Sequence, residues 1–355
     1  MQGFEHDTFG QRVIVGAGSI VADLVNETRA LGLARVLLIA DRAAEPFVDR
    51  VIAELSPVAV VRDVRQHVPR ERAEAARALA EQFGADGVIA IGGGSSVGLA
   101  KAIALTSGLP IIVAPTSYAG SEATDVWGIT DSEGKRTGHD RRVLPRVVVY
   151  DTELTATMPS RMVAASGLNA IAHAVETMWA PGSDPINRAI ALEALRSLRA
   201  GLEAVASDAV TPSTRMEMTV GTYLSGVGFA SAGSGLHHKI CHVLGGDYDL
   251  PHAEMHAVVL PYVVALNADS LPDRGERLAE VLGGTDALDG ILRLTGRLDL
   301  PRALREIGRE IDVEASADRI LAVVPPSNPR TVDGDLIVRL LTAARDGRDP
   351  RELAG

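Results

Sequence analysis

The segment Gly87-Val-Ile-Ala-Ile-Gly-Gly-Gly-Ser95 is a short apolar run that ends in three glycines and a serine. Its apolar residues are continuous, as in a strand buried on both faces of a parallel sheet, and the apolar spacing of residues 95–106 predicts a helix directly after it. Glycines let a backbone approach a ligand closely, and the N–H groups at a helix start attract an anion such as a pyrophosphate. The segment predicts a nucleotide site, with a ligand-free tight turn as the alternative. The predicted contacts are Gly92, Gly93, Gly94 and Ser95.

Apolar runs of this kind recur through the first part of the chain, at residues 12–15, 36–40, 58–64, 111–114 and 146–150. Segments with helical spacing lie between them, among them residues 19–31 and 70–83. Strands and helices in alternation indicate an α/β layered domain with a mainly parallel sheet and right-handed crossovers. We therefore predict that residues 1–155 form an α/β dinucleotide-binding domain.

Beyond residue 159 the strand signal fades and helical periodicity replaces it. Apolar residues recur every three or four positions in residues 160–179, 185–206, 214–229 and 336–344. Glycine and proline separate these segments, as expected between helices. We predict that residues 156–355 form an all-helical substrate and catalytic domain.

Two further sites in the first domain follow predicted strands. Asp41 ends the run 36–40, where an acidic side chain can accept hydrogen bonds from an adenosine ribose and repel a 2′-phosphate. This favours NADH over NADPH, although a helix N-cap is an equal alternative for Asp41. Thr116 and Ser117 follow the run 111–114, at the sheet edge where open α/β sheets bind ligands, and are predicted to contact the cofactor. A plain polar loop is the alternative for them.

The composition limits the class of protein. With 355 residues, 46% of them hydrophobic, the chain can bury a large core. Its net charge of −11 argues against nucleic acid or an anionic membrane as a partner, and no apolar run has the length of a membrane span. The single cysteine, Cys241, has no internal disulfide partner. We expect a cytoplasmic enzyme with a small-molecule substrate.

Histidines are concentrated in one stretch of the second domain. Five of the nine lie within twenty residues, together with Lys239, and histidine both titrates near neutral pH and binds metals. Upstream, Asn169 and His173 are four residues apart on one face of a predicted helix. We expect two helices and a loop to bring four histidines into one pocket, although a structural role is the alternative for each. These four are His173, His238, His242 and His252.

The order of motifs resembles that of the iron-containing alcohol dehydrogenase superfamily, and most closely its maleylacetate reductases. The motifs are GGGS, PTSYAGSE, GLNAIAHAVE, GLHHKICHVLGG and PHAEMHAVVLP, which begin at residues 92, 115, 167, 235 and 251. The resemblance implies a Rossmann-like domain followed by an all-α domain. Metal-dependent members use three histidines, equivalent to His173, His238 and His252, and an aspartate at the position of Asn169. Gly98 likewise stands where those members have another aspartate.

The resemblance implies NADH-dependent reduction of the conjugated C=C bond of maleylacetate to 3-oxoadipate, in the bacterial breakdown of aromatic compounds and without a bound metal. It also suggests a homodimer. The catalytic candidates are His242, Lys239 and His238. The candidates for substrate binding are Asn169, His173, His252 and Tyr118. The alternatives are a metal-dependent (iron or zinc) alcohol or polyol dehydrogenase, a lyase like dehydroquinate synthase, and a nucleotide sensor without catalysis.

Overall fold

The structure is a computed structural model that describes residues 3–132, 134–308 and 310–353. The chain divides into two compact units. One is Phe9–Met158, and the other contains the chain from Pro159 onward together with the described residues before Phe9. The predicted boundary at residue 155 thus lies three residues before the division in the structure. The sequence pattern did not indicate that residues 3–8 join the second unit.

The α/β unit is built on a parallel sheet. Among the described residues six strands form it, in the order β1-β8-β5-β4-β2-β3, and every neighbouring pair is parallel. These strands are β1 (Arg12–Gly16), β2 (Val36–Ala40), β3 (Ala59–Val61), β4 (Gly87–Gly92), β5 (Ile111–Pro115) and β8 (Val147–Asp151). Each lies at a predicted apolar run, but β3 is much shorter than the predicted 58–64.

Helices cover both faces of this sheet. They are α1 (Ile20–Ala30), α2 (Glu45–Leu55), α3 (Arg70–Gln82) and α4 (Gly94–Ser107). Alternate residues of β2 point to opposite faces, so that Leu38 packs in one core cluster with α1 and α2. Leu37 and Ile39 pack in the other cluster, with α3 and α4. Burial on both faces explains why β2 reads as a continuous apolar run.

The α/β unit also contains an antiparallel hairpin that was not predicted from the sequence. It consists of β6 (Val126–Asp131) and β7 (Gly134–His139). The residues of β6 are all half-buried, and β7 mixes glycine with charged and polar residues. Neither strand shows the apolar run or the clear alternation that identifies a strand in a sequence.

The second unit is helical, as predicted. Its helices are α5 (Ser160–Thr177), α6 (Pro185–Ala206), α7 (Pro212–Ala232), α8 (Leu236–Tyr248), α9 (His252–Asn267), α10 (Pro272–Leu282), α11 (Ala287–Gly296), α12 (Val313–Leu321) and α13 (Gly334–Asp346). Helix α5 is central, since it packs against α6, α7 and α9. In the part of the chain that the structure describes, no helix has both the length and the apolar content of a membrane span.

Candidate functional site

The glycine turn after β4 lies beside the end of β5. Gly92 pairs with Pro115 in the sheet, and the N–H of Thr116 donates to the carbonyl oxygen of Gly92 at 3.1 Å. A Cβ atom on Gly93 would lie 3.3 Å from Oγ of Ser117. The structure therefore places the predicted cofactor contacts from two different loops at one end of the sheet.

The turn has no room for a side chain at Gly92. A Cβ atom there would lie 2.1 Å from Oγ of Ser96 and 2.3 Å from Oδ2 of Asp41. Helix α4 begins at Gly94, and its first turn has neither a side-chain cap nor an acidic residue. A helix start of this kind suits a phosphate or pyrophosphate, because its N–H groups and its dipole both attract an anion. Ser95 is the second residue of this turn.

The carboxylate of Asp41 joins the end of β2 to the glycine turn. Its Oδ1 accepts from the N–H of Ala43 at 2.9 Å, so Asp41 does cap the short helical turn that follows β2. Its Oδ2 accepts from the N–H of Gly93 at 2.9 Å and from Oγ of Ser96 at 3.0 Å. Asp41 thus combines the capping role with a position beside the predicted nucleotide site. A contact with ribose stays a prediction.

Tyr118 lies in the α/β unit with 2% of its surface exposed. Its hydroxyl donates to Oγ1 of Thr155 at 2.9 Å. This bond gives the hydroxyl a structural function within the unit. The predicted contact between Tyr118 and substrate stays a prediction.

The helical unit contains a compact group of histidines, which we call the histidine array and define as His173, His237, His238, His242, His252 and His256. The rings of His173 on α5 and His238 on α8 are stacked, with centroids 4.7 Å apart and 18° between their planes. Phe229 of α7 packs against both rings, at 4.6 and 4.4 Å. Asn169 is buried one turn before His173 on α5. Thus α5, α7 and α8 form one end of the array.

His256, which was not among the predicted site residues, contacts two other rings of the array. Its ring is 4.7 Å from that of His238 and 4.2 Å from that of His252. The ring of His242 is 6.0 Å from that of His238. His252 is exposed and is the first residue of α9, so the prediction that a loop carries it was wrong: three helices converge here. The proline before it, Pro251, is the N-cap of α9.

Burial keeps the inner part of the array uncharged near neutral pH. It lowers the pKa of His173 to about 3 and that of His237 to about 4, and neighbouring histidines add to the effect at His173. Burial also lowers the pKa values of His238 and His256. Removal from water disfavours the charged imidazolium, and each neighbouring ring that gains a proton would repel the next. The buried rings therefore act as neutral donors or acceptors.

One buried carboxylate lies beside the histidine array. Glu176 on α5 is completely buried, and burial raises its pKa to about 7, against the lowering effect of nearby backbone N–H groups and of the Lys239 charge. Lys239 itself is half-buried on α8. Glu176 is the last residue of the motif that contains Asn169 and His173, and its spacing of three from His173 was the signal available in the sequence.

A glycine-turn sheet in one unit and a buried histidine array in the other are features of a two-unit dehydrogenase. Residues 10–152 match the iron-containing alcohol dehydrogenase family, and residues 163–345 match the C-terminal part of the Fe-containing alcohol dehydrogenase family. The chain belongs to the iron-containing alcohol dehydrogenase family and is an oxidoreductase.

Named relatives cover nearly the whole chain. A maleylacetate reductase of Burkholderia cepacia is 43% identical over 96% of this chain and 97% of its own length. The crystal structure of an iron-containing alcohol dehydrogenase from Corynebacterium glutamicum has a TM-score of 0.96 at 45% identity, with 100% of both chains covered. That of a maleylacetate reductase from a Rhizobium strain has a TM-score of 0.91 at 39% identity and covers 99% of this chain and 100% of that one. The fold predicted from the sequence is confirmed.

Proposed function

We propose that the protein is a maleylacetate reductase, which uses NADH to reduce the conjugated C=C bond of maleylacetate to 3-oxoadipate in bacterial degradation of aromatic compounds. The observation that carries the proposal is a buried group of neutral imidazoles beside an amide, Asn169, and a cation, Lys239. Similarity to maleylacetate reductases over nearly the whole chain supports it.

The cofactor fits the α/β unit. The start of α4 would hold the pyrophosphate, with Gly92 giving the backbone its close approach, and Asp41 disfavours the 2′-phosphate of NADPH. When bound, the reduced nicotinamide supplies the hydride that adds to the C=C bond. The proposed cofactor is therefore NADH, with NADPH used less well.

The helical unit would bind the substrate, which is a dicarboxylate. Hydride addition to a C=C bond conjugated with a ketone moves negative charge to the ketone oxygen, and fixed donors in a dry site stabilise such an oxyanion. Lys239 supplies a cation, Asn169 an amide N–H, and His242 an imidazole for the oxygen or for delivery of the proton. His173 and His252 are proposed to bind the carboxylates.

We also propose that the reaction needs no metal. The positions equivalent to the metal ligands of related dehydrogenases hold three imidazoles and the neutral amide of Asn169. Without the carboxylate the set lacks one negative charge and one strong oxygen ligand for a divalent ion. The homodimeric state and the cytoplasmic location stay predictions from the sequence.

Oxidation of NADH by protein stripped of metal tests the proposal. We expect turnover with maleylacetate, slower turnover with NADPH and little with simple aldehydes. Elemental analysis of the untreated protein and a challenge with EDTA are the controls. Stoichiometric metal, with activity lost on chelation and restored by iron or zinc, would instead establish a metal-dependent alcohol or polyol dehydrogenase.

A further inference from the structure

The side chain of Glu176 on α5 forms the N-terminal cap of a different helix, α8. Its Oε1 accepts from the N–H of His237 at 2.6 Å, and its Oε2 accepts from the N–H of Gly235 at 3.1 Å. Gly235 precedes α8 and has no side chain to cap it. A Cβ atom on Gly235 would lie 2.6 Å from Oε1 of Glu176, so a glycine is required for this approach. The carboxylate thus satisfies N–H groups that a helix start leaves unpaired.

The same carboxylate also contacts the ring of His238. Oε2 of Glu176 lies 2.6 Å from Nδ1 of His238, and both side chains are almost completely buried. Oε2 already faces the backbone N–H groups of Gly235 and His238, at 3.1 and 3.4 Å. An oxygen surrounded by donors acts as an acceptor, so the hydrogen of this contact belongs on Nδ1.

The other nitrogen of this ring faces the array. Nε2 of His238 is buried, and in the part of the chain that the structure describes it has no hydrogen-bond partner. In a neutral imidazole with hydrogen on Nδ1, Nε2 has a lone pair and can only accept. Whether Nε2 carries a hydrogen therefore depends on the hydrogen-bond partner of Nδ1, and that partner is Glu176.

We propose that Glu176 is a positioning residue that holds His238 as the Nδ1–H tautomer, so that Nε2 acts as a hydrogen-bond acceptor within the active site. The proposal rests on the proposed function for its kinetic consequences. A lone pair repels the carboxylate and enolate oxygens of the substrate, so Nε2 must face a donor such as a water molecule or an N–H group. The oxyanion is then stabilised by Lys239 and His242, and His238 orients a donor instead of donating itself.

Selective ¹⁵N labelling of histidine tests the tautomer by NMR, with the His238 signals identified by their absence in His238→Gln. In the wild-type protein at about pH 8, where Glu176 is ionised, we expect a protonated Nδ1 and an unprotonated Nε2. Glu176→Leu leaves Nδ1 without this acceptor, so the hydrogen should move to Nε2 in a measurable share of the molecules. Glu176→Asp retains the carboxylate and should restore the wild-type tautomer at least in part. A wild-type Nε2–H signal would overturn the proposal even if no variant folds.

Asp184 provides a matched control in the same unit. It is 5% exposed, caps α6 through the N–H groups of Ile186 and Asn187 at 2.7 and 2.9 Å, and contacts Nδ1 of His6 at 2.9 Å. Asp184→Leu therefore makes the same chemical change at another capped helix. We expect it to leave the His238 signals and the kinetics unchanged.

Steady-state kinetics separate positioning from a purely structural role. We expect Glu176→Leu to lower kcat by about 10- to 100-fold, the usual cost of losing a partner that orients a site histidine. The KM for maleylacetate should stay the same or fall, because an N–H replaces a lone pair near an anion. Lost activity with the tautomer unchanged in Glu176→Leu would contradict the proposal. If the wild-type protein did not reduce maleylacetate but showed the expected tautomers, only the proposed function would fail.

Discussion

At the scale of a single residue, Asn169 determines the net charge of the proposed substrate site. It is buried beside His173, on the helix that also contains Glu176. An aspartate here would add a second carboxylate to α5 and complete the donor set of metal-dependent relatives. The amide instead leaves the site more favourable to a dianionic substrate.

Asn169→Asp should therefore gain zinc and lose substrate affinity. We expect stoichiometric zinc after incubation and gel filtration, and a KM for maleylacetate raised by about 10-fold or more, since like charges brought together cost several kcal/mol. Elemental analysis and steady-state kinetics measure the two effects. Asn169→Leu, which removes the amide without adding charge, should not gain zinc. Unchanged metal content and KM in Asn169→Asp would refute the charge argument.

Lys101, in the α/β unit, is a second residue whose side chain has a specific structural role. It is 1% exposed, and its ammonium group donates to the carbonyl oxygens of Ser121, Thr124 and Val126 at 2.6, 2.8 and 2.9 Å. It thereby holds the end of the segment that begins with Thr116. The sequence showed only that lysine is rare in this chain, and it did not reveal this role.

Lys101→Met should destabilise the protein and weaken NADH binding. The substitution removes three hydrogen bonds from a buried side chain, each worth about 1 kcal/mol or more, so the loss in the free energy of unfolding should exceed about 3 kcal/mol. Urea unfolding and NADH titration measure these effects. Arg142→Met removes an exposed cation of the same unit, which pairs with nearby Asp140 at 2.7 Å, and should leave the stability almost unchanged. Equal losses in the two variants would contradict the prediction.

At the scale of elements, the sequence predicted the sheet strands well because burial on both faces leaves a continuous apolar run. It failed for β6, whose residues are all half-buried, and for β7, which mixes glycine with charged and polar residues. It also predicted that α5 and α8 carry the histidines, since their spacing follows the helical period. It could not show that the start of α8 docks on Glu176, because that contact depends on how two helices pack and not on the spacing within either.

The turn between β4 and α4 gives a test at this scale. Gly92→Ala should abolish detectable NADH binding, because the new Cβ would displace the Asp41 carboxylate and the Ser96 hydroxyl from the end of the turn. Isothermal titration with NADH measures the loss. Gly108→Ala lies at the other end of α4, with φ of +69° and open space around it, and should cost only about 1 kcal/mol of stability. Weakened NADH binding in that control would mean that α4 as a whole, and not the turn, is disturbed.

For the whole molecule, the change from strand runs to helical spacing near residue 159 correctly predicted one α/β unit and one helical unit. The sequence could not show that residues 3–8 belong to the helical unit, because this depends on contacts between residues that are distant in the sequence. One such contact is the bond between Nδ1 of His6 and Asp184, at 2.9 Å. The local sequence pattern contains no information about a contact between residues that are 178 positions apart.

Buried ionisable groups make the stability of the molecule depend on pH. Burial lowers the pKa of four histidines of the array, so between about pH 6.5 and pH 4 the unfolded chain binds protons that the native protein excludes. Burial raises the pKa of two glutamates, that of Glu176 to about 7, so above about pH 4.5 the native protein holds protons that the unfolded chain releases. The histidines outnumber the glutamates by two. The groups are His173, His237, His238 and His256, and Glu176 and Glu122.

The free energy of unfolding should therefore fall as the pH is lowered from 6.5 to 5. Each net proton contributes about 1.4 kcal/mol per pH unit, so the slope approaches about 3 kcal/mol per unit when all six groups act fully. Urea unfolding across this range measures it. His256→Asn removes one buried histidine and should reduce the slope by about 1.4 kcal/mol per unit, whereas His139→Asn, whose side chain is 61% exposed, should leave it almost unchanged. A slope of opposite sign would mean that the buried carboxyl groups, and not the histidine array, control the response of the molecule to acid.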